Sequence, residues 1–271
     1  MVKTAAEKHF DKIAKEYDNY KSKNSYYYKN LKKLLRSLIP QNKKTLEIGC
    51  GTGQLANLLG LSNHPIVGVD LSFSSLKLAQ AFKTSQFIAP TNFVQMDIFH
   101  PCFPPESFDI TLSNGVLHHT PNPKQAFANM VSLTKPSGLV ILGLYNPLGR
   151  ALTNFRRYLF RYFGRIDLLD YYLRQKNFPE NKKQIWFKDQ YQNPHESQHA
   201  VDEVLNWFDT YKVSFLNAVP KITPLDHLTN KEKLFNRHRR GSQLEHLLSQ
   251  LFWVFTQARE GGLFILIGRK L

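Results

Sequence analysis

The chain has 271 residues, 42% of them hydrophobic and 13% aromatic, with 14 glycines and 14 prolines. That is the composition of a folded protein with a sizeable core, and it excludes a disordered chain or a disulfide scaffold. Thirty-six lysines and arginines against 21 acids give a net charge of +15, which points to an anionic surface, nucleic acid or acidic substrate as a partner but carries no information on fold.

The charge is unevenly placed. Residues 1–44 hold 12 basic and 4 acidic side chains, residues 45–146 hold 4 and 5, and residues 147–271 hold 20 and 12. A near-neutral middle is thus flanked by basic additions. The N-terminus has no apolar stretch behind its basic residues, and no window approaches the ~18 apolar residues that a membrane span needs. The two cysteines, Cys50 and Cys102, have no paired spacing, so a reducing compartment is expected: the cytoplasm, with peripheral membrane contact as an addition.

In chain order, residues 25–38 read as a basic amphipathic helix, with Tyr28, Leu31, Leu34, Leu35 and Leu38 on one side. Strands follow at 45–48, 66–69, 92–96, 108–112 and 139–144, with helices at 54–60, 73–83 and 123–134 between them. The helix at 123 is signalled by Asn122 as cap and Pro123 in the first turn. Strands separated by crossover helices imply a mostly parallel α/β sheet. Residues 150–163 repeat the basic amphipathic pattern, with Leu152, Phe155, Leu159 and Tyr162 in a stripe and Arg150, Arg156, Arg157, Arg161 and Arg165 facing no acid before Asp167. A helix at 202–211, strands at 213–216 and 262–267, a solvated loop at 231–240 and an apolar helical stripe through Leu244, Leu247, Leu248, Leu251, Phe252, Phe255 and Ala258 complete the chain. That stripe lacks lysine or arginine opposite it, so core packing or a hydrophobic lid is its expected role.

The chemical signal is Glu47-Ile48-Gly49-Cys50-Gly51-Thr52-Gly53-Gln54, where the first strand turns into its helix. Glycines there let a ligand approach the backbone at the carboxyl edge of the strands. A dinucleotide fingerprint would need glycine at 54, where Gln54 stands, and a phosphate-binding loop would need a Gly-Lys pair that is absent. Asp70 ends the second strand 17 residues after Gly53, where a carboxylate can accept both hydroxyls of a ribose.

This E-x-G-x-G-x-G loop, with Phe10-Asp11 through Tyr17-Asp18, Val67-Gly68-Val69-Asp70-Leu71-Ser72, Met96-Asp97-Ile98 and Phe108-Asp109 through Leu117-His118-His119, resembles the class I S-adenosylmethionine-dependent methyltransferases. The likeness spans residues 8–145 and is strongest to the broad group that includes the ubiquinone and menaquinone biosynthesis enzymes. It implies an α/β Rossmann-like fold: a seven-stranded, mostly parallel sheet with helices on both faces, a helical N-terminal arm (1–44), a cofactor-binding core (45–146) and a remainder of the same domain (147–271) with lid insertions at 147–200 and 220–260. It also implies S-adenosyl-L-methionine as cofactor, S-adenosyl-L-homocysteine as product, and a cofactor site at Glu47, Gly49, Cys50, Gly51, Gly53, Asp70, Leu71, Asp97, Ile98 and Asn114. In that site Glu47 organises the loop and the methionine end, Asp97 meets the adenine amino group and Ile98 packs the ring. Cys50 reads as a small filler beside the ligand.

His118 and His119, just past the fourth strand, are the candidates for accepting a proton or orienting the acceptor. The string Ser113-Asn114-Gly115-Val116 lacks the [D/N]-P-P-[Y/F/W] of enzymes that methylate exocyclic base amines; the nearest such string, Asn146-Pro147-Leu148, follows the fifth strand. His195-Glu196-Ser197-Gln198-His199 matches a zinc-peptidase pattern but has no third ligand signalled, so no metal is expected. Tyr17, Tyr145, Asp189, Tyr191, His195 and His199 are expected substrate contacts. The expected activity is methyl transfer to O or C of a small or lipid-like acceptor, with anionic membrane or RNA contact through the basic helices 25–38 and 150–163. Two alternatives share the cofactor: an RNA methyltransferase, and a non-catalytic cofactor-binding regulator.

Overall fold

A computed structural model describes Asp11 and residues 42–175, 179–192, 195–226, 234–256 and 262–271, apart from the side chains at 181, 182, 185 and 189. Helix 25–38, Tyr17, Ala258 and the side chain of Asp189 lie outside the described residues.

Seven strands form one sheet: β1 Thr45–Ile48, β2 Ile66–Asp70, β3 Thr91–Gln95, β4 Phe108–Asn114, β5 Thr134–Tyr145, β6 Val213–Val219 and β7 Leu263–Lys270. Their order is β3-β2-β1-β4-β5-β7-β6. The first five run parallel, and β7 is antiparallel to both β5 and β6. The order reverses at β1, and that switch point at the carboxyl ends of β1 and β4 is where open α/β sheets bind ligands.

The helices are α1 Gln54–Gly60, α2 Phe73–Ser85, α3 Pro123–Leu133, α4 Ala151–Phe163, α5 Glu180–Tyr191, α6 Val201–Thr210 and α7 Gln243–Thr256. Residue alternation along the strands divides the core. Val140, Leu142, Leu144, Phe264 and Leu266 pack with α3 and α6 through Phe127, Met130, Val204 and Phe208. Leu139, Ile141, Ile265 and Ile267 face the other way, with α1 through Leu55, Ala56 and Leu59. Sequence period 2 in the strands therefore places helices on both faces of the sheet.

Five features differ from the sequence expectation. Strand β5 starts at Thr134, where Thr134 pairs with Phe108 before a register shift. Residues 180–191 form helix α5, whose mixed polar and aromatic pattern carries no apolar stripe on the sequence alone. Residues 195–200 are extended and α6 begins only at Val201, so the two histidines of the zinc-like string do not share a helix. The 231–240 stretch is anchored where it is described: Leu234 is buried, and Arg239 and Arg240 pair with Glu245 and Asp209. Finally, α7 is inverted: His246, Ser249, Gln250 and Trp253 are buried while Leu244, Leu247, Leu248, Leu251, Phe252 and Phe255 are exposed. Buried polar partners explain this. His246 bonds Asp202 and the Arg240 carbonyl, and Gln250 accepts from Asn146 and from the Val201 amide, so the polar stripe is the one that fits the domain.

A third cluster lies outside the sheet. Phe160, Leu173 and Tyr191, with Trp186 and Phe187 against them, give the insertion after β5 its own small core. Buried Asp170 organises it, accepting from the Tyr191 hydroxyl at 2.6 Å, the Trp186 indole at 3.2 Å and the Tyr172 and Leu173 amides.

Candidate functional site

Gly49, Gly51 and Gly53 all take positive φ, between 54° and 73°. At Gly53 the requirement is also spatial, because a Cβ would stand 2.6 Å from Ala79 Cβ and 2.7 Å from Phe93 Cζ. At Gly51 a Cβ would enter open space. The loop is tight on its protein side and clear on the side where a ligand would approach.

Asp70, at the end of β2, holds this loop. Its Oδ2 accepts from the Gly51 N–H at 2.7 Å and its Oδ1 from the Ser72 N–H at 2.8 Å. The Ser72 hydroxyl caps α2 through the Ser75 amide and donates to Asp11 Oδ1, which also accepts from the Ser74 amide. Asp11 joins this site although no role for it is legible in the sequence beyond its place in the Phe10-Asp11 string. Asp97, just past β3, accepts from the Phe99 amide at 2.9 Å and leaves its second oxygen 3.4 Å from the exposed His100. Ile98 beside it is buried, as is Cys50, whose Sγ lies against Gly68. Glu47 lies in β1, and Leu71 continues from Asp70 with its carbonyl bound by Gln95.

Around the loop, three buried oxygens have no hydrogen-bond partner among the described residues: Thr52 Oγ1, Gln54 Oε1 and Asn114 Oδ1. Asn114 ends β4 against Gly143, and the following turn brings Val116 onto Gly49. Buried acceptors left open beside a clear glycine loop are costly unless a polar ligand completes them. S-adenosylmethionine, with an ammonium and ribose hydroxyls to donate, fits that donor deficit.

Beyond Asn114 a short 3-10 turn, Leu117–His119, carries the two candidate histidines. His119 Nδ1 lies 2.9 Å from the His195 carbonyl, which can only accept. The His119 proton is therefore on Nδ1, and in the neutral ring Nε2 accepts from His118 Nε2–H at 3.1 Å. This assignment leaves His118 Nδ1 as a lone pair, buried and without a partner among the described residues. Burial, and after it repulsion from His119, Arg150 and His199, holds the His118 pKa well below its ordinary value. His118 stacks on Tyr145 at 4.1 Å between ring centroids, and Arg150 covers that tyrosine at 3.9 Å.

Residues 195–199 form a strap over this edge. The Ser197 N–H donates to the His118 carbonyl at 2.8 Å and the His199 N–H to the Tyr145 carbonyl at 2.8 Å. His195 Nε2 reaches the Thr120 carbonyl, while His199 contacts Ser197 and Glu203. Between the histidines, Glu196 is clamped by Arg150 through two bonds of 2.8 Å and touched by Arg157 at 3.2 Å. Burial would raise the Glu196 pKa, but Arg150 and Arg157 outweigh it and hold the carboxyl below its usual range. Glu196 is thus an ion-pair partner, not a free base, and no group of His, Cys, Asp or Glu among the described residues has the geometry to hold a metal ion.

The structure thus gathers Glu47, Gly49, Cys50, Gly51, Gly53, Asp70, Leu71, Asp97, Ile98 and Asn114 at the carboxyl ends of β1 to β4, with His118, His119, Tyr145, His195 and His199 beside them past β4 and β5. It does not bring in Tyr191, whose hydroxyl is committed to Asp170 in the small core of the insertion after β5; burial and that carboxylate push its pKa up. The Arg150–Glu196 clamp was missed in the sequence, because two residues 46 apart pair only after the chain has folded back.

Comparison with known proteins agrees with this geometry. Residues 46–142 match the family described as Methyltransferase domain. A ubiquinone biosynthesis O-methyltransferase from Photobacterium profundum is 30% identical over 132 residues, which are 47% of this chain and 52% of that protein. One from an Azoarcus species is 28% identical over 128 residues, with the same coverage. The chain spans about half the length of the curated relatives it matches. Among solved structures, a chain in the complex of the Haloferax volcanii Trm112 methyltransferase activator with a methyltransferase aligns with a TM-score of 0.59 at 13% identity, covering 99% of both chains. An S-adenosylmethionine-dependent methyltransferase from Thermotoga maritima aligns with a TM-score of 0.56 at 16% identity, covering 97% of this chain and 98% of that one. Glycine loop, strand order and family match together make residues 46–142 a methyltransferase domain of the class I, S-adenosylmethionine-dependent type.

Proposed function

We propose that the chain transfers the methyl group of S-adenosylmethionine to an oxygen of a small or lipid-like acceptor. The observation that carries this reading is the left-handed glycine loop tied to Asp70, with three open buried oxygens around it. The oxygen acceptor is supported by the curated relatives, which are ubiquinone biosynthesis O-methyltransferases. Asp70 would hold the ribose, Glu47, Cys50, Asn114 and the loop the methionine end, and Leu71, Asp97 and Ile98 the adenine. When bound, the cofactor supplies a methyl group already activated on a sulfonium.

The protein's own work is alignment and proton removal. Holding acceptor and donor in line supplies up to ~7–11 kcal/mol in well-oriented systems. The hydroxyl proton of the acceptor passes to Nδ1 of His118, which burial keeps neutral and therefore able to accept. His119 fixes the tautomer of His118, and Tyr145 with the 195–199 strap keeps water from that edge.

The test is transfer of a labelled methyl group from S-adenosylmethionine to a lipid extract or a panel of substituted phenols, followed by organic extraction. Label is expected in the organic phase. Label recovered in RNA instead would overturn the acceptor class. His118→Gln should cut transfer to a hydroxyl by about 100-fold or more while S-adenosylhomocysteine affinity is kept. An unchanged rate would remove His118 as the proton acceptor.

A further inference from the structure

Helix α4 buries little of itself. Thr153 and Phe160 face the domain, while Phe155, Tyr158, Tyr162 and Phe163 are between 59% and 71% exposed, and Leu152 on the helix and Leu168 and Tyr171 in the segment after it are exposed as well. The small core of the insertion already has its members, so this outward face is not needed to hold the insertion together. A contiguous aromatic and leucine face outside a completed core marks an interaction surface.

The charge around it is one-sided. Residues 150–175 hold six arginines and two aspartates. Both acids are engaged: Asp170 is buried among Tyr191 and Trp186, and Asp167 is bound by Arg165 and Lys183. Arg161 and Arg174 remain on the exposed rim, Arg174 lying over the Tyr171 ring at 5.5 Å. Tyrosines and phenylalanines with flanking arginines match the interface of a bilayer, where the rings enter the headgroup boundary and the cations meet lipid phosphates.

We propose that the outward face of α4, with Leu168 and Tyr171, docks the protein on an anionic lipid bilayer. Two competing occupants fit less well. Tracking RNA would need several uncommitted cations, yet Arg150 and Arg157 are spent on Glu196, and Arg165 on Asp167 and Glu180. A second copy of the chain would bring the same arginine excess against itself. The exposed face of α7 carries no lysine or arginine at all, so nothing comparable assigns its occupant. The docking does not depend on the methyl-transfer reading, since it is measured without cofactor or acceptor.

The experiment is flotation of the full chain with vesicles of phosphatidylcholine plus phosphatidylglycerol, and of phosphatidylcholine alone. The protein should float with the anionic vesicles and far less with the neutral ones. Phe155→Ser/Tyr158→Ser/Tyr162→Ser should lower partitioning about tenfold or more, with the thermal melt and the far-ultraviolet circular dichroism retained as checks on folding. Arg161→Gln/Arg174→Gln should weaken binding to the anionic vesicles alone. As an independent readout, the Phe155→Trp variant should gain blue-shifted fluorescence over the unsubstituted chain when anionic vesicles are added. Failure of the protein to float, full partitioning by the triple variant, or no such added shift in the Phe155→Trp variant would each overturn the proposal, as would binding to single-stranded RNA but not to vesicles.

Discussion

His118 shows how one residue can serve two purposes. Burial in the fold disfavours the charged ring, so between its lowered folded pKa and the ordinary value of 6.5 the unfolded chain binds one more proton than the folded one. Stability therefore falls as pH drops below 6.5, by up to about 1.4 kcal/mol per pH unit for this single proton. Urea unfolding between pH 5 and 7 should show that slope, and His118→Gln should remove this increment. Equal slopes in both proteins would mean that another group carries it. The lowered carboxyl of Glu196 acts in a separate window, adding stability above 4.5 that is lost as pH falls further. The position of His118 beyond β4 was legible in the sequence. Its burial was not, because that is set by the strap, whose five residues contain no apolar side chain to announce that they would cross the sheet edge.

At the scale of elements, the glycine loop and the strap make opposite demands. Gly51→Ala meets no neighbour, so it should cost only about 1 kcal/mol of backbone strain, yet it fills the ligand side and should abolish S-adenosylhomocysteine binding. Gly53→Ala collides with Ala79 and Phe93 and should cost about 3 kcal/mol by overpacking as well as strain. Chemical denaturation and calorimetry on the two variants separate these effects. In the strap, Arg150 and Glu196 are 0% and 2% exposed at their side chains. Glu196→Gln leaves a buried guanidinium uncompensated and should cost about 3–5 kcal/mol, whereas Arg150→Met/Glu196→Leu should recover much of it. A loss under about 1 kcal/mol in the single variant would show that water reaches the pair. Strand and helix periods made β1 to β4 and α1 to α3 readable, since each buries one face of a repeating pattern. Periodicity misled at α7, where an uninterrupted leucine stripe implied burial. The domain instead selected the face bearing His246 and Gln250, because those side chains complete polar groups on α6 and at Asn146, just past β5, that an apolar face would leave open.

For the whole molecule, the distribution of charge separates chemistry from placement. The near-neutral residues 45–146 contain the loop, Asp70, Asp97 and the histidine turn, while the arginine-rich insertion after β5 adds the strap, its own small core and the outward face of α4. Much of that insertion's positive charge is spent internally on Glu196, Asp167 and Glu180, which a count along the sequence cannot reveal. Among the described residues of the insertion, Arg161 and Arg174 are exposed, Arg174 over the Tyr171 ring. Isothermal titration of S-adenosylhomocysteine tests most directly whether the loop and Asp70 form an S-adenosylmethionine site. One saturable site per chain is expected in the intact protein, weakened by at least about tenfold in Asp70→Ala through loss of charge-assisted bonds to the ribose. No binding by the intact protein, or the same affinity in Asp70→Ala, would contradict it.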